Sequence, residues 1–295
     1  MVVVDSFVRY LITEKRYSPH TVRAYQNDLM QFQEFIGERG IAASLTDCTT
    51  RQVRSWVIAL LDGGLSPRSV NRKTTTLRRF YRFCQQEGII RNNPAEAVLA
   101  LKTDKPLPLF VDETRMESVS LQAGLPVDFP SLRNLLIVEL LYGTGMRLAE
   151  LIGLKETDAD TAARQVKVLG KRQKERIIPV TEELAGLMEC YRAVREQEFP
   201  ELNPVFLILT NSGQPAYPKL VYRAVEEALE SASVSGRKSP HVLRHTYATH
   251  LLNRGAELNA IKELLGHASL GATQVYTHTG FEKLKSEFRK AHPRA

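Results

Sequence analysis

The sequence predicts a mainly helical protein of two domains, with a small β-sheet in the second. The chain has 295 residues, more than one compact core usually holds. Apolar residues recur at helical spacing through the first part of the chain, and two short β-type segments flank a polar turn further on. The content of 43% hydrophobic and 25% charged residues is typical of a globular protein and argues against a disordered chain.

The first part of the chain contains the start signals of helices. Ser18-Pro19 combines an N-cap residue with proline in the first turn, and a helix is expected from there to a stop at Gly37. The same signal returns at Ser66-Pro67, with a helix expected to end near Gly88. Between them, Arg51 to Leu61 has an apolar stripe. These segments predict about four helices in two similar halves.

The helix after Ser66 is strongly basic. Glu87 is the one acidic residue that opposes its cations, which are Arg68, Arg72, Lys73, Arg78, Arg79 and Arg82. A charge run is usually a solvated face, but this density favours a surface that contacts phosphates. The net charge of +7 and pI near 9.3 fit a polyanionic partner without establishing one.

A linker is expected between the two domains. Its signals are the lysines Lys102 and Lys105 and the prolines Pro94, Pro106 and Pro108. We therefore expect a helical domain at residues 1–100, a basic linker at 101–110 and a second domain at 111–295.

The second domain is predicted to be mixed. An apolar helix from Leu132 to Leu141 breaks at Gly143-Thr144-Gly145, and a helix resumes over Leu148–Leu154. Residues 165–169 and 176–180 are predicted strands around a polar turn at 170–175, and the chain after Lys219 is predicted to be mainly helical.

Several polar residues of this domain could carry chemistry. Arg147 follows the Gly143–Met146 turn and opens a helix, and Lys171 lies in the turn between the strands, but each alone is a weak signal. The stronger signal is Pro240-His241-Val-Leu-Arg244, because the i, i+3 spacing places an imidazole and a guanidinium on one helix face, suited to a phosphodiester.

Two further features of this region leave alternatives open. His241 and His245 have the i, i+4 spacing of a zinc pair and His250 follows, so a zinc hydrolase is a competing hypothesis, although no Glu stands between them as in H-E-x-x-H. His267 comes directly after Leu264-Leu-Gly266, and Tyr276 follows nine residues later. A lone helical tyrosine is usually a core residue.

Taken together, these residues resemble the tyrosine recombinase (phage integrase) family, and most closely its Xer-type branch. The six residues of the family signature are present in order, at Arg147, Lys171, His241, Arg244, His267 and Tyr276. The resemblance implies an N-terminal SAM-like core-binding domain and a mixed α/β catalytic domain, which together form a C-shaped clamp on DNA.

The resemblance also implies the roles of the six residues. Tyr276 would be the nucleophile that forms a 3′-phosphotyrosyl ester. The two arginines and His267 would stabilise the charge on the non-bridging oxygens, Lys171 would protonate the leaving 5′-oxygen, and His241 would be the acid/base partner of the tyrosine. No cofactor and no metal are expected.

The partners expected from the resemblance begin with a double-stranded DNA recombination site. Four protomers would act on two such sites, with a second Xer-type recombinase and a DNA translocase activator as candidate further partners. The apolar stripe Phe281, Leu284 and Phe288 has two interpretations, packing on its own domain or docking into a neighbouring protomer, and the family favours the second. The expected role is the resolution of chromosome or plasmid dimers at a dif-like site.

The sequence also predicts a cellular location and leaves competing functions open. Three scattered cysteines, no signal peptide and no membrane-length apolar run predict a reducing cytoplasm. The alternatives to an Xer-type role are an integrase or transposase of a mobile element with the same chemistry, or a catalytically silent DNA-binding regulator.

Overall fold

A computed structural model describes residues 2–40, 42, 44–103, 109–121, 128–170, 175–266, 286–288 and 290–294. The chain forms two compact units, Met1–Pro106 and Leu107–Ala295. Residues 104–108, which hold three of the five residues that mark the predicted linker, lie outside the described residues. Lys102 is exposed, whereas Pro94 is buried within the first unit. Within the described ranges, no helix is both long and apolar enough to cross a membrane.

The first unit contains four α-helices among its described residues: α1 (Val2–Thr13), α2 (Pro19–Glu38), α3 (Thr50–Asp62) and α4 (Pro67–Gln86). The predicted starts of α2 and α4 are confirmed, since the hydroxyl groups of Ser18 and Ser66 each accept a hydrogen bond from the backbone three residues on, at 3.3 Å. The predicted stop at Gly37 is wrong by one residue, because a single glycine weakens a helix without ending it.

A buried carboxylate joins α2 to α4. Asp28 is 1% exposed and accepts hydrogen bonds from Arg72 at 2.6 and 2.9 Å, from Lys73 at 3.0 Å and from Thr76 at 2.8 Å. The ammonium of Lys73 also donates to Gln31. This arrangement satisfies a charge that would otherwise be costly to bury.

Only some of the basic side chains predicted to form a face of α4 are therefore exposed to solvent. Lys73 is buried, and Arg78 is half-buried and donates to the carbonyl oxygens of Ala95 and Val98. These two side chains hold the unit together, so the expectation that Lys73 contacts a phosphate does not fit its burial. The guanidinium groups left on the exposed surface are those of Arg68, Arg72, Arg79 and Arg82.

The second unit is mixed, as predicted. Its described helices are α5 (Glu113–Leu121), α6 (Phe129–Thr144), α7 (Leu148–Ile152), α8 (Glu182–Glu198), α9 (Pro218–Ser231), α10 (Pro240–Asn253) and α11 (Leu258–Leu265). Helix α6 is buried on nearly all sides and is contacted by α8, α9 and α10. The predicted helix over Leu148–Leu154 is shorter than expected and ends at Ile152.

The sheet consists of three antiparallel strands in the order β1 (Ala159–Asp160), β2 (Gln165–Leu169) and β3 (Glu175–Pro179). Strand β2 has the predicted bounds, and β3 begins one residue before its predicted start. Val166 lies opposite Ile178 and both are buried, which fixes the face that packs on the core. Strand β1 has two residues, which is too short for the alternation of apolar and polar residues to predict it from the sequence.

The segment 290–294 packs on this same unit. Phe288 is 2% exposed and belongs to its core, and the ring of His292 lies 4.4 Å from that of Phe288. In the single chain, Phe288 therefore packs on its own domain, which is the first of the two interpretations given for the apolar stripe. Phe281 and Leu284 lie outside the described residues.

Candidate active site

The candidate active site begins at the turn that ends α6. Gly145 has φ +61°, a left-handed conformation that glycine adopts without strain, and it caps the helix. The ring of Tyr247 on α10 and the side chain of Leu265 on α11 pack directly against it. The tight turn therefore lets three helices meet at one point, immediately before Arg147.

Arg147 is the N-cap residue of α7 and is tied to that helix by Glu150. The backbone N–H of Arg147 donates to Oε2 of Glu150 at 2.7 Å, and its Nη1 donates to Oε1 at 2.9 Å. The other end of the guanidinium, Nη2, donates to the carbonyl oxygen of Gly266 at 3.1 Å. The side chain is 34% exposed, so it remains accessible to an anion.

Arg244 lies one turn after His241 on α10 and is buried. Its guanidinium donates to the carbonyl oxygens of Gly145 and, at 2.6 Å, Leu265. Burial and the neighbouring Arg147 lower the pKa of Arg244 to about 10, so it remains a cation at neutral pH. None of the described carboxylates forms an ion pair with Arg244.

A third arginine, Arg176, enters the cluster from β3. It forms a bidentate ion pair with Glu150, with both N–O distances 2.8 Å, and its Nε donates to the carbonyl oxygen of Leu264 at 2.8 Å. Burial alone would raise the pKa of Glu150, but the hydrogen bonds from Arg176 and from the backbone of Arg147 outweigh it and lower that pKa.

The three arginines meet at the C-terminus of α11. Three consecutive carbonyl oxygens, those of Leu264, Leu265 and Gly266, accept hydrogen bonds from Arg176, Arg244 and Arg147 respectively. A helix C-terminus carries partial negative charge, so it attracts guanidinium groups. One carboxylate, Glu150, faces these three cations, and the resulting surplus of positive charge suits a phosphodiester anion.

His241 occupies the first turn of α10 and is exposed. The structure thus brings three of the six predicted residues, Arg147, His241 and Arg244, into one region of the second unit. Lys171, His267 and Tyr276 lie outside the described residues, although the chain leaves the arginine cluster at Gly266, immediately before His267.

The zinc alternative has no support from the three histidines. His250 is 1% exposed, and its Nδ1 lies 2.9 Å from the hydroxyl of Tyr142 in the core. His241, at the other end of the helix, is exposed to solvent. Among the described residues, which include all three histidines, no group of three or more His, Cys, Asp or Glu side chains is placed to hold a metal ion.

Sequence reasoning missed Arg176 and Glu150. Two signals could have indicated them. Glu150 stands three residues after Arg147, the spacing of a reciprocal cap at a helix start. Arg176 alternates with Ile178 on one face of β3, so the face that packs on the core contains a charge that needs a buried partner.

A helical unit followed by a mixed unit with three clustered arginines is the arrangement of a protein whose site suits a phosphodiester anion. Comparison with known sequences agrees. Residues 4–88 match the N-terminal SAM-like domain of the phage integrases, and residues 120–283 match the phage integrase family itself. The chain belongs to this family, the tyrosine recombinases.

Its relatives include two bacterial proteins named tyrosine recombinase XerC. The one from Chlorobaculum parvum is 37% identical over 99% of this chain and 94% of the relative, and the one from Oceanobacillus iheyensis is 37% identical over 99% and 96%.

Solved structures share the fold at lower identity. The Tn1549 transposon integrase in complex with transposon right end DNA has a TM-score of 0.72 at 23% identity, covering 97% of this chain and 98% of that one. The XerH recombinase bound to palindromic difH substrate has a TM-score of 0.71 at 20% identity, covering 96% and 82%.

Proposed function

We propose that this tyrosine recombinase cleaves and rejoins double-stranded DNA at a specific site through a covalent bond to Tyr276. The observation that carries the proposal is the convergence of Arg147 and Arg244 on adjacent carbonyl oxygens at the end of α11, directly before His267. The hydrogen bonds hold the two cations in place before a substrate binds, and such preorganised charge can stabilise the transition state of a phosphodiester reaction.

In the proposed reaction, the Tyr276 oxygen attacks the scissile phosphorus and the bond from phosphorus to the 5′-oxygen breaks. Arg147, Arg244 and His267 stabilise the non-bridging oxygens. His241 accepts the phenol proton, and Lys171 gives a proton to the departing 5′-oxygen. The phosphotyrosyl ester keeps the energy of the broken bond, so a 5′-hydroxyl of another strand can reverse the step.

The biological role we propose is that of an Xer-type enzyme, which resolves chromosome or plasmid dimers at a dif-like site in the cytoplasm. The XerC relatives, similar over nearly the whole chain, favour this role over that of a mobile-element integrase. It would act as a tetramer on two DNA sites, with a second Xer-type recombinase and a DNA translocase as partners. Residues 1–100 and 111–295 would both contact the DNA, joined by the basic linker 101–110.

The test uses a nicked suicide duplex that carries a dif-type site, from which the cleaved strand cannot be rejoined. Denaturing electrophoresis should reveal a labelled covalent adduct that persists in EDTA and disappears in Tyr276→Phe. The matched control is Tyr222→Phe on α9, an exposed tyrosine outside the arginine cluster, which should retain the adduct. DNA binding without an adduct, even with candidate partner recombinases present, would instead support the regulator hypothesis.

A further inference from the structure

Arg176 occupies a buried position that none of the predicted roles uses. Its guanidinium is engaged on every side, because Nη1 and Nη2 bind the two oxygens of Glu150 and Nε binds the carbonyl oxygen of Leu264. Its side chain is only 6% exposed, against 34% for Arg147. Burial therefore shields Arg176 from a substrate, while the side chain of Arg147 remains accessible.

We propose that Arg176 is a positioning residue, which neutralises Glu150 so that the charge of Arg147 is free to bind the phosphate. This inference rests on the proposed function, since it assigns Arg176 a part in the same reaction. Each oxygen of Glu150 accepts one hydrogen bond from Arg147 and one from Arg176. The carboxylate thus orients Arg147 while Arg176 compensates its charge.

The electrostatic consequence of losing Arg176 follows from these contacts. Among the described residues, Arg147 would then be the only side chain that forms an ion pair with Glu150. Their attraction would then compete directly with the attraction of Arg147 for a phosphate, because opposite charges interact more strongly in a poorly solvated site. The side chain of Arg147 would be drawn towards Glu150 and its charge partly neutralised, although Arg147 itself is unchanged.

Arg176 also fixes the end of α11. A Cβ atom at Gly266, where φ is +63°, would lie 3.0 Å from Nη1 of Arg176, so the glycine allows the guanidinium to pass close to the helix cap. The carbonyl group that Arg176 holds is followed by those that Arg244 and Arg147 hold. Loosening the first contact would therefore disturb the two catalytic arginines together.

The first test compares Arg176→Met and Arg176→Lys with the wild-type protein in single-turnover cleavage of the nicked dif-type duplex. A displacement of the order of 1 Å in a catalytic group can cost about 100-fold in rate, so we expect Arg176→Met to cleave between about tenfold and 100-fold more slowly with DNA affinity unchanged. Arg176→Lys keeps the positive charge but loses the planar guanidinium that binds Glu150 through two nitrogens. Its cleavage rate should therefore lie between those of the wild-type protein and Arg176→Met.

The matched control is Arg195→Met. Arg195, on α8, forms the same kind of contacts, with Nη1 bound to Glu156 at 2.8 Å and to the carbonyl oxygen of Leu207 at 3.1 Å, but none of its contacts reaches the arginine cluster. At a temperature where all variants are folded, Arg195→Met should cleave at the wild-type rate. An equal loss in Arg195→Met and Arg176→Met would overturn the proposal, because it would mean that any buried ion pair of this unit has the same effect.

A double-mutant cycle with Arg147→Lys separates positioning from general destabilisation. If Arg176 acts through Arg147, the combined variant should lose less activity than the product of the two single losses, whereas independent effects multiply. Multiplicative losses, or wild-type cleavage by Arg176→Met, would contradict the inference.

A readout without DNA keeps this inference distinct from the proposed function. Hydrogen exchange of the backbone amides at 258–266 should be faster in Arg176→Met than in Arg195→Met, since only the first variant releases the end of α11. If the wild-type protein forms no adduct, the proposed function fails, and the exchange still decides whether Arg176 holds this segment. Equal exchange in the two variants would contradict the inference.

Discussion

Gly145 and Tyr247 pack so closely that a Cβ atom added to the glycine would clash with Cδ1 of the tyrosine ring. Tyr247 is fully buried on α10, one turn after Arg244, and Gly145 is two residues before Arg147. The contact therefore sets the distance between the two elements that carry the predicted catalytic arginines. It makes the glycine a requirement of the site as well as of the helix end.

We predict that Gly145→Ala destabilises the second unit and reduces cleavage. The left-handed backbone costs about 1–2 kcal/mol for a residue with a Cβ, and overpacking against the ring adds about 1–3 kcal/mol to the loss in free energy of unfolding. Urea unfolding followed by circular dichroism measures the change.

The control for Gly145→Ala is Gly255→Ala in the same unit. Gly255 has φ +84°, but among the described residues no atom other than those of its chain neighbours lies within 4 Å of the position where its Cβ would be, so only the backbone cost should apply. Equal losses in the two variants would show that the Tyr247 contact contributes nothing.

We predict that Asp28→Asn destabilises the first unit by about 3–5 kcal/mol, because it removes the carboxylate that Arg72 and Lys73 share and leaves the buried ammonium without its counter-ion. The chain contains a single tryptophan, Trp56, which is 2% exposed in this unit, so its fluorescence reports the unfolding of the first unit in the full chain. Asp62→Asn, at the exposed end of α3, is the control and should change the midpoint little. A loss below about 1 kcal/mol for Asp28→Asn would mean that the network is solvated.

The sequence located most of the elements because their signals are local. Ser18, Ser66 and the glycine after α6 each act on the backbone within a few residues, and the structure has a helix boundary at each of these positions. In the second unit, the turn before Arg147 and the helix that starts at Pro240 are also where local signals predict them. The approach of Arg147 and Arg244 is different, since it depends on contacts between distant parts of the chain.

The sequence could not predict which residues pair with the buried charges, because those partners are distant in the chain. Lys73 and Arg68 belong to one basic run, and of these two Lys73 is buried beside Asp28, 45 residues earlier in the chain, whereas Arg68 is exposed. In the same way, nothing local to Arg176 indicates that its partners are Glu150 and the end of α11. The buried ion pairs of both units were therefore the part that only the structure could establish.

We predict that Arg68→Gln weakens DNA binding and lowers the salt dependence of the binding constant. Arg68 is exposed on the first turn of α4, and each neutralised phosphate contributes about 0.9 to the slope of log K against log salt concentration, so the slope should fall by about that amount. Titrations of duplex DNA at several salt concentrations measure it. Arg51→Gln, an exposed arginine at the start of α3, is the control, and an equal change there would point to overall charge rather than to the α4 surface.

We predict that the second unit loses stability below neutral pH, in part through His292. This residue is 2% exposed, its Nε2–H donates to the carbonyl oxygen of Gly143 at 3.1 Å, and its Nδ1 accepts from the backbone N–H of Arg294 at 3.1 Å. Burial lowers the pKa of His292 to about 4. The unfolded chain, where a histidine has a pKa near 6.5, therefore binds a proton that the folded state does not bind between these two values.

Because the unfolded chain binds this additional proton, lowering the pH favours unfolding. The free energy of unfolding falls as the pH drops from about 6.5 to 4, and His292 contributes about 3 kcal/mol to the fall. In His292→Gln, the free energy of unfolding measured by circular dichroism should vary less over this range, whereas the Trp56 fluorescence transition of the first unit should keep its wild-type pH dependence. An unchanged pH dependence of the second unit in His292→Gln would show that His292 has the same pKa in the folded and the unfolded chain. The folded protein would then tolerate the protonated ring, whose Nδ1 cannot accept from the backbone N–H of Arg294.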